Sequence, residues 1–68
     1  MLLKVSVFHL TDEESSYLVK QYASRGLKAV AINGTVTVEA EDVFERCMVY
    51  MAIGQQFPEY EVRMSQRR

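Results

Sequence analysis

Apolar and polar residues alternate near the start of the chain. Leu3, Val5 and Val7 are set against Lys4, Ser6 and Phe8, the period-two pattern of a strand with one buried face. His9 is expected to continue the buried series. Thr11-Asp12-Glu13-Glu14 then has the form of a capping box, in which Thr11 accepts from the backbone near Glu14 and Glu14 reaches back, so a helix is expected to start there. Leu18, Val19, Tyr22 and Ala23 form its apolar face, Tyr17 lies nearly opposite and is expected to be exposed, and Gly26 suits the residue that closes it. From Leu27 to Ala40 two β-rich runs flank Asn33-Gly34, a pair that tolerates the positive φ angles of a type I′ turn. A two-residue loop sets Ala29, Ala31, Val36 and Val38 on one face, suited to lie under helices, and Val30, Ile32, Thr35 and Thr37 on the other. A longer loop would reverse the faces and turn Val30 and Ile32 inward.

The stretch from Glu41 to Phe57 carries the longest helical pattern and more apolar surface than one core uses. At about 100° per residue, Val43, Phe44, Cys47, Met48, Met51 and Gly54 share a broad face with Tyr50 at its margin, and this face is expected to be the core stripe. Val49 and Ile53, one turn apart, point away from it. A helix apolar on both sides is usually buried on both sides, and in a chain of 68 residues the second burial falls to a partner. Arg46, Val49, Tyr50 and Ile53 are therefore the expected protein interface, with Tyr50 and Ile53 at its centre and Arg46 at its rim. Pro58 stops the helix. Tyr60, Val62 and Met64 then alternate with Glu61, Arg63 and Ser65 as a last strand, and residues 65–68 read as a frayed basic tail.

The element order is strand, helix, strand, strand, helix, strand, the α+β arrangement of a ferredoxin-like βαββαβ domain. Residues 1–68 read as one domain with a four-stranded antiparallel sheet and both helices on one face. Right-handed crossovers place the first and third strands centrally.

Composition narrows the function. A net charge of −1 gives no basic field to hold nucleic acid or to recruit acidic substrates. The single cysteine, Cys47, forms neither an internal disulfide nor a zinc site and reads as a small buried hydrophobe, with an intermolecular or redox thiol as the alternative. The first ten residues lack the features of a signal peptide and no apolar run reaches the ~18 residues of a membrane span, so a cytoplasmic chain without membrane contact is expected. No phosphate-binding loop, dinucleotide fingerprint, C-x-x-C or H-E-x-x-H occurs. His9 is a lone histidine and the carboxylates cluster at helix starts, where the helix dipole accounts for them. No catalytic residue, cofactor or metal ion is expected.

Two kinds of binding remain. Lys4, Phe8 and Arg63 lie on the open sheet face, where RNA-recognition domains of this topology stack bases on aromatics and hold phosphates with basic residues. The third strand offers Thr35, Thr37 and Glu39 there, and the glycine-and-aromatic signature of those domains is absent. The run VTVEAEDVFERCMVYMAIGQQFPEYEVRM, a strand entering an acidic-started helix and leaving by a short turn into Glu61-Val62-Arg63, resembles the strand–helix–strand half of small phage-encoded host-takeover proteins, some of which inhibit the host RNA polymerase. The resemblance implies a small protein that acts in the host cytoplasm by binding a larger one. The favoured expectation is a non-enzymatic protein-binding module that self-associates as a homodimer, with nucleic-acid binding on the sheet as the alternative.

Overall fold

The computed structural model describes residues 2–67. The elements are β1 (Leu2–Val7), α1 (Asp12–Ala23), β2 (Lys28–Ile32), β3 (Thr35–Ala40), α2 (Val43–Gln56) and β4 (Val62–Arg67). They build one antiparallel sheet in the order β2-β3-β1-β4, the ferredoxin-like layout, with β1 and β3 central. Both helices cover one face, α1 over β2 and β3 and α2 over β1, β3 and β4.

Local chemistry explains most boundaries. Glu14 N–H donates to Thr11 Oγ1 at 3.2 Å, and Thr11 N–H donates to Glu14 Oε1 at 2.9 Å, so the capping box is closed in both directions. At the other end of α1, Leu27 N–H donates to the Tyr22 carbonyl and Gly26 N–H to that of Ala23. This is a Schellman closure with Gly26 at its left-handed position, φ 81°. The hairpin has a two-residue loop: Ile32 pairs with Thr35 and Ala31 with Val36, and Asn33 and Gly34 have φ of 51° and 80°. Val36 and Val38 accordingly face the helices and are fully buried, whereas Val30 and Ile32 lie on the open side. Helix α2 starts at Asp42, whose Oδ1 accepts from Glu45 N–H at 2.7 Å, and ends at Phe57 before Pro58.

The core joins Leu3, Val5, Val7, Leu10, Leu18, Tyr22, Val36, Val38, Val49 and Ile53. Three expectations are corrected here. His9 leaves the buried series: it is exposed in a turn with φ 65°, which lets Leu10 fill the core position instead. Ser65 to Arg67 do not fray. They pair with β1 down to Leu2 opposite Arg67, because β1 needs a partner on its second edge, while Arg68 lies outside the described residues. The third correction is the largest. Helix α2 presents the opposite side to the sheet from the one its broad apolar face suggests.

Candidate functional site

Val49 and Ile53 are 5% and 0% exposed, so they belong to the core and are not available as an interface. Phe44, Met48 and Met51 are 75%, 56% and 55% exposed, and Val43 and Cys47 are exposed beside them. Under the helix, Val49 and Ile53 join one cluster with Leu18, Tyr22 and the inward valines of β1 and β3. They are stiff, branched side chains one turn apart, whereas the flexible methionines of the broader arc lose more side-chain freedom when buried. The thiol of Cys47 therefore meets solvent and is not a buried hydrophobe.

Tyr50 and Arg46 flank the buried pair and stand at the core margin. Tyr50 is half-buried and packs on the core. Arg46 is half-buried along β4, where its Nη1 donates to the Ser65 carbonyl at 3.4 Å while its Nε is buried with no hydrogen-bond partner. Of the expected interface residues, then, two are in the core and two brace it.

The surface that α2 offers is the other face. Phe44, Cys47, Met48 and Met51 recur at i, i+3, i+4 and i+7 and form one continuous stripe on the outside of the helix layer. Val43 borders it on one side and Ala52 on the other. Met51 and Gly54 lead into a shallow groove walled by Tyr50, Phe57, Tyr60 and Val62. With a large apolar side chain offering on the order of 150–200 Å² when fully exposed, the stripe together with Val43 leaves roughly 450 Å² of apolar surface on one side of one helix. That lies in the range of the largest apolar patch on a typical monomer, which is often functional. The stripe itself carries no charge: Glu41, Asp42 and Glu45 stand at the start of the helix, where the Asp42 carboxylate accepts from Glu45 N–H and the Glu45 carboxylate accepts from Glu41 N–H. Two-sided apolarity was readable in the sequence. The signal for its direction was the continuation of Val49 and Ile53 into Phe57, which also packs on the core.

The open face of the sheet brings Lys4, Phe8 and Arg63 to one side, as their alternation requires. The guanidinium of Arg63 lies 5.7 Å from the centre of the Phe8 ring and also pairs with Glu61. Lys28 pairs with Glu39 across the strands at 3.6 Å, and Ser6 shares a hydrogen bond with Thr37 at 3.2 Å. Val30 and Ile32 are exposed apolar residues on the same face. Among the described residues no three His, Cys, Asp or Glu side chains are grouped to hold a metal ion, and no helix is long and apolar enough to cross a membrane.

No protein-family model, curated protein or solved structure matches the chain.

Proposed function

We propose that this chain is a small, non-enzymatic protein-binding module whose contact surface is the outer face of α2. The observation that carries the reading is the exposed stripe of Phe44, Cys47, Met48 and Met51 on a helix whose opposite side already fills the core. Exposed aromatic and methionine side chains in one uncharged stripe favour association, because methionine adapts to a partner's shape and burial of such an area opposes the entropy lost on binding. The resemblance of the C-terminal half to small phage-encoded host-takeover proteins points the same way, since those act through protein contacts.

Nucleic-acid binding on the sheet is less well supported. The one aromatic beside the cations, Phe8, has Arg63 over its ring, and both Arg63 and Lys28 are engaged by carboxylates. On that reading Phe8→Ala and Arg63→Ala weaken oligonucleotide binding and salt weakens it steeply.

A photo-cross-linking side chain at Met48, with the same group at exposed Tyr17 of α1 as control, tests the proposal in the source cell. A protein adduct is expected from position 48, lost when Met51→Glu is added, and absent from position 17. Equal labelling from both positions, or none from position 48, overturns it.

A further inference from the structure

We infer that the partner of the α2 face is a second copy of this chain, docked antiparallel about a two-fold axis that passes beside Cys47 and Met48. The inference rests on the protein-binding reading of the same face and adds the occupant and its geometry.

The pattern of the stripe is self-complementary. Cys47 and Met48 stand at its middle, with Phe44 one turn before and Met51 one turn after. A two-fold axis at the middle brings Phe44 of each copy onto Met51 of the other, a flexible thioether against an aromatic ring, which is a favourable pairing. The two cysteines meet at the axis, where the smallest side chain of the stripe lets the helices approach.

Charge selects the direction. In a parallel pairing the acidic starts of the two helices, Glu41, Asp42 and Glu45, lie side by side and repel. The antiparallel pairing sets each acidic start beside the uncharged end of the other helix, at Gly54 and Gln55, and aligns the two helix dipoles favourably.

The area is of the right order. Two such faces of roughly 450 Å², Val43 included, supply about 900 Å² before the rest of the rim is counted, close to the ~1,000 Å² that a specific interface clears. The position is open as well: α2 forms the outside of the helix layer, and α1 makes no close approach to it among the described residues.

Sedimentation equilibrium and disulfide trapping test this together. The native chain is expected at twice its 7.8 kDa mass at high micromolar concentration. Met48→Glu, on an exposed position, should leave the circular dichroism unchanged and weaken dimerisation by roughly 100-fold, as loss of a central contact does. In a Cys47→Ser background, chains carrying Phe44→Cys mixed with chains carrying Met51→Cys should form the mixed disulfide on mild oxidation. Each alone should not. Disulfide dimers from each alone, without the mixed product, indicate the parallel arrangement and overturn the geometry. A monomeric native chain overturns the second-copy inference. If the Met48 photo-probe then yields an adduct with a different protein, the binding reading stands without it; if it yields no adduct, both fall.

Discussion

Tyr60 donates its hydroxyl to both carboxylate oxygens of Glu14, at 3.0 and 3.2 Å, and so ties the first turn of α1 to the loop between α2 and β4. The same carboxylate accepts the Thr11 backbone N–H. That backbone bond is the main reason Glu14 is held below the usual carboxylate range; the Tyr60 bond adds to it and partial desolvation opposes it. The bond to Glu14 in turn pushes the Tyr60 phenol upward.

Stability should therefore respond to pH at both ends. A lowered carboxyl pKa gives stability that is present above the unfolded value and lost as pH falls through the folded one. A raised phenol pKa gives stability that is present below its unfolded value and lost as pH rises through the folded one. Tyr60→Phe should move the Glu14 titration, followed by carboxyl NMR shifts, part of the way back to the ordinary range, leaving the part due to Thr11. An unchanged Glu14 titration would show that the bond is not formed in solution.

The orientation of α2 makes a sharp prediction about core and surface. Ile53→Ala should cost about 2–4 kcal/mol of unfolding free energy, the range for a large aliphatic residue removed from a packed core. Met48→Ala should cost within about 0.5 kcal/mol when measured in dilute protein, where association does not contribute. Denaturant unfolding of the two variants checks this, and the reverse order would restore the broad face to the core.

Gly34 is held by more than its turn. Its φ is 80°, its carbonyl accepts from Leu10 N–H at 2.9 Å, and a Cβ placed on it would stand 3.0 Å from the Leu10 carbonyl oxygen. Gly26 has φ 81° but open space around it. Gly26→Ala should cost about 1 kcal/mol, the conformational penalty alone, and Gly34→Ala about 2 kcal/mol or more, because backbone must also move. Thermal unfolding of the pair separates the two effects.

His9 occupies the left-handed region without being glycine. His9→Asn should be neutral to slightly stabilising, since asparagine tolerates that conformation. His9→Val should cost about 1–2 kcal/mol through the strain of a branched side chain there. Equal melting temperatures for the two variants would show that the turn relaxes.

The parts of the fold that were legible in the sequence are those decided within a few residues. Thr11 and Glu14 announce a helix start because each satisfies the other's backbone, and Asn33-Gly34 announces a two-residue turn because few other pairs adopt its angles. The hairpin register followed from that turn and correctly sorted Val36 and Val38 from Val30 and Ile32. The direction of α2 was not legible in this way. Periodicity showed two apolar arcs on one helix, but the choice between them depends on which arc completes the cluster begun by the sheet. That is a property of residues such as Val5 and Val7, more than forty positions before Val49. Counting hydrophobic residues favoured the wrong arc, whereas stiff Val49 and Ile53 were better suited to a core than flexible methionines. For β4, the strand's pairing to β1 overrode the polar character of Ser65 and its neighbours.

The central position of β1 also sets the order of events when the chain folds. β1 leaves the ribosome before the other described elements, yet one of its two neighbours, β4, emerges after α2, and their ladder joins Leu2 to Arg67. Until β4 arrives, Val5 and Val7 sit on a strand with one bare edge, able to recruit any extended segment nearby. Closing a loop that runs from Leu2 to Arg67 slows that last step relative to the hairpin, which forms from neighbouring residues. A nascent chain halted between α2 and β4 is thus the species most exposed to mispairing.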